Sequence, residues 1–369
     1  MIRSRAAICI EPNAPLIVEE VFVDGPRHGE ALVEIVASGL CHTDLTALEG
    51  VNATSVYPLI PGHEGSGRVV EVGEGVLDLK PGDHVIPLYG PECRHCRMCR
   101  SGRTNLCWTI KPTRDKGVMP DGTARFRHGS DAVHHFMGTS TLSRYTVVPE
   151  MALAKIRPDA PLDKICLFGC GVTTGVGAAL KEVSEGDAVV VFGLGGIGIN
   201  VIQGARLAGA KTIIGVDITD RKNALATTYG MTHFVNATAE ASHVVAAIRD
   251  ITEGGADVAF ECTGLVPVMR QSFDCCHPAW GTSVLLGVEP AGAEMSFPPV
   301  GVRYGRTIRG SYFGGVKGRS GLGAFIDLYM DGKIDLDAQI THNIGLDQVN
   351  YGFDLMKRGE SVRSVVRFE

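Results

Sequence analysis

Short apolar, β-branched runs recur through the first half of the chain, at residues 31–36 (Ala-Leu-Val-Glu-Ile-Val), 67–72 and 84–88, separated by glycine- and proline-containing turns. Runs of about four to eight such residues between turn signals predict strands, and their density predicts a β-rich, barrel-like domain. From about residue 172 the texture changes. Apolar runs at 188–192, 212–216, 233–235, 258–261, 283–286 and 307–309 alternate with stretches of helical character. That alternation predicts a parallel, doubly wound sheet with helices on both faces, so the fold class is α/β. After Tyr312 the passage Phe313-Gly314-Gly315 leads into one helical stretch at 322–330 and an extended end at 362–368, which is expected to rejoin the first domain.

A length of 369 residues with 44% hydrophobic positions suits two domains, each with its own core. Lys and Arg number 35 against 41 Asp and Glu, a formal net charge of -6, so no basic field is present for nucleic acid or an anionic membrane. The apolar run at residues 6–10 is too short for a signal-peptide core, and a cytoplasmic protein is expected. The most apolar stretch, 188–202, is interrupted by glycine and falls short of the roughly 18 apolar residues of a membrane span. Eleven cysteines in a reducing compartment are read first as metal ligands or thiols rather than disulfides.

Four of them, Cys93, Cys96, Cys99 and Cys107, fall within one loop. Two-residue gaps let three thiolates converge on one ion, and the turn through Gly102 lets the fourth complete a tetrahedron. Four sulfur ligands leave no open position, so a structural zinc is expected; an iron–sulfur cluster or a set of free thiols is the competing reading. The interleaved Arg94, Arg97, Arg100 and Arg103 offset thiolate charge.

A second constellation is spread along the chain: Cys41-His42-Thr43-Asp44, Gly62-His63-Glu64-Gly65 and Gly169-Cys170-Gly171. Taken singly, Cys41 and Cys170 read as small core residues and His63 as a satisfied core histidine. Together Cys41, His63 and Cys170 would form a Cys2His set with a fourth position free, the mark of a catalytic zinc. Further on, Gly193-Leu194-Gly195-Gly196-Ile197-Gly198 follows the 188–192 strand and opens a helix, and Asp217 ends the next strand about 20 residues later. The glycine spacing alone is weak evidence; its strand–turn–helix context and the carboxylate point to a dinucleotide whose pyrophosphate sits at the helix start. A carboxylate at Asp217 repels a 2′-phosphate, which favours NAD over NADP.

These motifs, with Pro81-Gly82-Asp83-His84-Val85, Tyr312-Phe313-Gly314-Gly315 and Gly359-Glu360-Ser361-Val362-Arg363, resemble the zinc-containing medium-chain alcohol dehydrogenases over nearly the whole chain, most closely the class III, glutathione-dependent formaldehyde dehydrogenase branch. The resemblance implies a GroES-like catalytic domain with a structural zinc loop from residues 1–171 and 313–369, a Rossmann NAD-binding domain from 172–312, an active-site cleft at their junction, and a homodimer or tetramer. It also implies two zinc ions, with Cys41, His63 and Cys170 at the catalytic one. Glu64 is then behind that zinc and Asp44 orients His63. His42 and Arg363 come near the coenzyme pyrophosphate, and Lys222 beside the adenosine ribose. In this scheme zinc lowers the pKa of an alcohol, Thr43 relays its proton, and hydride passes to NAD. Tyr89, Phe136, Met137 and Tyr312 become walls of the substrate pocket, and Val288 lines both that pocket and the coenzyme site.

The chain departs from the class III pattern. Thr46 replaces a histidine of the proton relay, so the last proton step is expected through water. Asn52 and Thr54 stand where acidic residues are usual, and Lys111 where an arginine is. On those grounds the expected substrate is a free primary alcohol or aldehyde, bulky or aromatic, with S-(hydroxymethyl)glutathione as the alternative and a non-catalytic zinc-stabilised binding or sensor protein as a second one. His134-His135 is expected on extended chain with its rings on opposite faces, hence not a metal pair.

Overall fold

The computed structural model describes residues 1–51, 54–238 and 241–369, without the side chains of residues 241 and 242. Asn52 lies outside the described residues. The chain divides into two compact units, Met1–Cys170 with Lys317–Glu369, and Gly171–Val316. Residues 313–316, grouped with the tail on sequence grounds, belong to the second unit. Gly314 packs so closely on the helix Gly171–Glu182 that a Cβ there would lie 2.6 Å from the Thr173 carbonyl oxygen.

In the first unit, among the described residues, two sheets form. One runs Ile2–Ile8, Ile17–Val23, Phe126–His128, Asp131–His135 and Leu59–Ile60. The other runs Leu153–Lys155, His84–Pro87, Glu64–Val72, Glu30–Gly39, Arg363–Arg367 and Ile340–Gly345, with Tyr145–Pro149 also paired to Glu30–Gly39. The long strand Glu30–Gly39 is buried along most of its length, as expected of a strand with neighbours on both edges and layers on both faces. Its end pairs with the chain terminus: Gly39 faces Val365, and the Leu40 amide donates to the Ser364 carbonyl at 2.9 Å. That pairing brings Arg363 beside the segment that carries Cys41.

The second unit holds a parallel sheet of β1 (Ala188–Phe192), β2 (Thr212–Asp217), β3 (His233–Asn236), β4 (Val258–Glu261), β5 (Thr282–Leu285) and β6 (Thr307–Gly310). Its spatial order is β3-β2-β1-β4-β5-β6, the doubly wound Rossmann order, with the reversal between β1 and β4. The helices Gly171–Glu182 and Gly198–Leu207 approach closely through glycine. A Cβ on Gly204 would lie 2.7 Å from that of Ala179, and one on Gly175 would lie 2.5 Å from the Ile197 carbonyl oxygen.

Two boundaries differ from the sequence reading for local reasons. β5 stops at Leu285, where the chain turns so that the Gly287 amide shares the Glu261 carbonyl, at 3.0 Å, with the Leu286 amide. The helix expected at 322–330 begins at Gly318, since the Glu92 carboxylate accepts from both the amide and the hydroxyl of Ser320 at 3.1 Å and holds a glycine-rich first turn in place. No helix among the described residues is long and apolar enough to cross a membrane.

Candidate active site

Cys41 ends the turn after strand Glu30–Gly39 and caps the helix His42–Leu48, so the side chains that follow it leave on helical spacing. Asp44, the third residue of that helix, is fully buried. One of its oxygens accepts from the Cys41 amide at 3.1 Å; the other accepts from the Gly62 amide at 2.9 Å and contacts His63 Nδ1 at 3.0 Å. A single carboxylate thus ties together two segments twenty residues apart. Gly62, at φ +98, makes a turn that a side chain would obstruct, because a Cβ there would meet the Thr141 hydroxyl at 2.7 Å. The Gly62 carbonyl is held by the Thr141 amide and the Thr139 hydroxyl, both at 3.0 Å.

Cys170 arrives from a third place, at the end of the short helix Cys166–Gly169. The Cys41 and Cys170 sulfurs, a ring nitrogen of His63 and a carboxylate oxygen of Glu64 lie within 4.8 Å of one another, all buried. Nδ1 of His63 is committed to Asp44, which leaves Nε2 buried without a hydrogen-bond partner. An orphaned imidazole nitrogen beside two thiols fits a zinc ion, whose borderline softness suits N and S donors. Glu64 is engaged by Arg363, a buried ion pair, so three protein donors remain and a fourth position stays open. Burial alone would lower the His63 pKa, but the Asp44 carboxylate and the Cys41 thiolate raise it to about 10. The Cys170 thiol hydrogen-bonds Cys41, and with His63 and Arg363 it outweighs burial to hold the Cys41 thiol well below its ordinary value.

The four-cysteine loop also closes. The Cys93, Cys96, Cys99 and Cys107 sulfurs lie within 4.8 Å of one another, with Cys93 to Cys99 at 3.9 Å and Cys96 to Cys107 at 3.8 Å. The Cys96 and Cys99 amides point at sulfur, at 3.3 Å to Cys93 and 3.5 Å to Cys96. Burial opposes ionisation of Cys93, yet the Thr109 hydroxyl and nearby amides bring its pKa down to about 6. Arg94 turns away to Asp78 at 3.1 Å, so its charge is spent there rather than on the thiolates.

Other candidates are placed as follows. Thr43 is half-buried and His42 exposed at the helix start. Tyr89 and Phe136 stand edge-on to His63, with ring centroids at 5.8 and 6.1 Å, and Met137 follows with a left-handed backbone, φ 54. Arg363, expected at a pyrophosphate, is buried with Glu64 as its partner. In the second unit Gly193 turns at φ +86, Gly196 accepts from the Asn200 side chain at 2.7 Å, and Ile197 caps the helix that starts at Gly198. A Cβ on Gly195 would meet nothing within 4 Å, so that face of the loop is open to a ligand. Asp217 accepts from the Leu194 amide at 2.8 Å and the Thr219 amide at 3.2 Å, which fixes its carboxylate at the end of β2. Lys222 precedes the helix Asn223–Thr228, and Val288 and Tyr312 are exposed.

A model described as the alcohol dehydrogenase GroES-like domain matches residues 27–159, and one described as zinc-binding dehydrogenase matches 196–329. The chain is 53% identical over 99% of its length to the whole of a protein of Paracoccus denitrificans named S-(hydroxymethyl)glutathione dehydrogenase. It is likewise 53% identical, with the same coverage, to an alcohol dehydrogenase class-3 of Cereibacter sphaeroides. The chain belongs to the zinc-binding alcohol dehydrogenase family, in its class III branch. Among solved structures, the dehydrogenase resembles a zinc-binding alcohol dehydrogenase of Burkholderia ambifaria (TM-score 0.94, 33% identity) and the benzyl alcohol dehydrogenase of Acinetobacter calcoaceticus (TM-score 0.93, 28% identity). The first alignment covers 100% of this chain and 99% of the other, and the second covers both completely. It is therefore a zinc-dependent oxidoreductase with an NAD-binding Rossmann domain.

Sequence reasoning assigned Glu64 and Arg363 separate roles and missed that they pair, because 299 positions separate them. It also passed over Glu261, a buried acid ending the otherwise apolar strand β4. The visible signal was a charge closing a Val-Ala-Phe run.

Proposed function

We propose that the dehydrogenase oxidises S-(hydroxymethyl)glutathione with NAD, using zinc held by Cys41, His63 and Cys170 and a second, structural zinc held by Cys93, Cys96, Cys99 and Cys107. The observation that carries the reaction class is the unpartnered Nε2 of His63 between two buried cysteines. The substrate rests on the full-length relatives of that name, at 53% and 48% identity, which favour the adduct over the free bulky alcohol expected from the sequence. Held by Cys41, His63 and Cys170, zinc would supply Lewis acidity that lowers the pKa of a hydroxyl, and NAD would supply the hydride acceptor. Asp44 fixes the His63 tautomer and so aims Nε2 at the metal position. Thr43 takes up the hydroxyl proton at Oγ1 as it releases its own. The Thr46 hydroxyl, committed to the Thr43 carbonyl at 2.9 Å, has no basic group to offer, so the proton leaves through water. Arg363 neutralises Glu64 behind the site.

A homodimer belongs to the same proposal. Strand β6 pairs on one side with β5, its other edge is unpaired among the described residues, and Val300 and Val302 stand exposed on the helix Pro299–Tyr304 that leads into it. A two-fold copy would cover both features.

A free primary alcohol is the second reading, and one observation favours it. Lys111 and Arg114, the cations after the four-cysteine loop, are both engaged by Asp115 and are less available to a glutathione carboxylate. The test compares kcat/KM with NAD for S-(hydroxymethyl)glutathione, benzyl alcohol and a medium-chain primary alcohol. The adduct is expected to lead by about a hundredfold, the scale of a few kcal/mol of charged contacts. A lead for benzyl alcohol selects the second reading.

A further inference from the structure

In a doubly wound sheet the connections leave in opposite directions where the strand order reverses, and a crevice opens at the carboxyl ends of those two strands. Here they are β1 and β4, whose last residues, Phe192 and Glu261, pair across the ladder. Glu261 is fully buried and has no ion pair among the described residues. A carboxylate removed from water without a cation must be held by hydrogen bonds, and a strand that needed only packing would end in an apolar residue.

The hydrogen bonds show what the carboxylate does. It accepts from the Thr263 amide at 2.7 Å, from the Thr263 hydroxyl, and from the Gly264 amide at 3.1 Å. Its own backbone carbonyl accepts from the Leu286 amide at 2.8 Å and the Gly287 amide at 3.0 Å. The side chain therefore shapes the turn after β4 and lies against the turn after β5, where a Cβ on Gly287 would sit 2.7 Å from its carboxylate, while the backbone carbonyl anchors that second turn as any residue's would. The two turns touch, since a Cβ on Gly264 would lie 3.1 Å from the Val288 nitrogen. The turn after β4 also abuts the glycine loop after β1, since a Cβ on Gly193 would lie 2.7 Å from Thr263 Cγ2. Burial raises the Glu261 carboxyl above its ordinary value, against the pull of these donors.

We propose that Glu261 is a positioning residue for the nicotinamide half of the coenzyme, holding residues 262–265 and 286–288 in the shape that receives it. The inference rests on the dinucleotide reading of the second unit. With pyrophosphate at the Gly193 loop and adenosine toward Asp217 on β2, the other nucleoside must cross the reversal and lie over the ends of β4 and β5. Those are the turns that Glu261 organises. Charge-assisted hydrogen bonds are the stronger kind, which suits a surface that must be set before the ligand arrives.

The test measures dissociation constants of NADH and of ADP-ribose, which lacks the nicotinamide ring, on the full-length zinc-loaded enzyme. Glu261→Ala is expected to weaken NADH about tenfold while ADP-ribose stays within about twofold, and Glu261→Gln, which keeps an acceptor oxygen, is expected to fall between Ala and wild type. Equal weakening of the two ligands, or an unchanged NADH constant, overturns the proposal, because a merely structural residue does not separate them. Should Glu261→Ala fail to fold, Thr263→Val removes one donor to the carboxylate and is expected to weaken NADH alone; equal shifts there overturn it as well. Wild-type enzyme binding neither ligand would instead refute the dinucleotide reading itself.

Discussion

Single side chains in this molecule are set by what their neighbours leave them. Asp44 accepts from the Cys41 and Gly62 amides and fixes one nitrogen of His63, which leaves the other nitrogen bare. His135 is the opposite case. It lies at the end of the strand Asp131–His135, its Nε2 accepts from the Arg125 amide at 3.2 Å, and its ring packs on Phe126 with centroids at 4.7 Å. His134 is only half-buried, in keeping with neighbouring side chains on opposite faces. Burial, then the Arg125 charge, depresses the His135 pKa from 6.5 to about 3. Below pH 6.5 the unfolded chain binds this proton and the folded chain does not, so stability falls as pH falls, progressively until about 3. Between pH 7.5 and pH 5 the loss is about 2 kcal/mol. Urea midpoints at the two values should show it in the wild type. His135→Phe should be less stable at pH 7.5 through the lost acceptor, and its midpoint should fall less on acidification; an equal fall in both proteins would refute the assignment.

At the scale of elements, the two cysteine sets differ in how their ligands are delivered. Cys93, Cys96, Cys99 and Cys107 come from one loop with its own short helices, so local spacing sufficed to read the set. Cys41, His63 and Cys170 come from a helix start, a tight turn and a helix end, and their convergence depends on the sheet that carries them. The consequences of substitution should differ accordingly. Cys107→Ser should release one zinc and lower the melting temperature by about 5 °C, because a metal that closes a loop contributes folding energy. Cys170→Ser should keep its melting temperature near that of the wild type and lose turnover by about two orders of magnitude or more. Zinc content, melting curves and kcat for the two variants check this; a reversed pattern would exchange the roles of the sites. Strand positions were readable from apolar runs, whereas the start of the helix Gly318–Met330 was not, since Glu92, far off in sequence, organises its first turn.

For the whole molecule, the expected stoichiometry is two zinc ions per chain of 39.2 kDa and a particle of about twice that mass. Elemental analysis together with light scattering measures both. One zinc per chain would leave one cysteine set without its ion, and a monomer would remove the role given to the open edge of β6.

Residue chemistry at short range was determined by the sequence alone: the four-cysteine loop, the glycine turn after β1 with Asp217 ending β2, and the alternation that makes the second unit a parallel sheet. Each depends on spacings within about one supersecondary unit, where chain geometry leaves few alternatives. Tertiary structure decided the rest. Glu64 meets Arg363 only because the last strand pairs beside Gly39, and Asp44 joins Cys41 to Gly62 only because a helix start and a turn are stacked by the same sheet. Glu261 acquires its place only when the strand order puts β4 next to β1. Such partners are chosen by packing and by the need of every buried charge for a partner, and neither leaves a periodic trace along the chain.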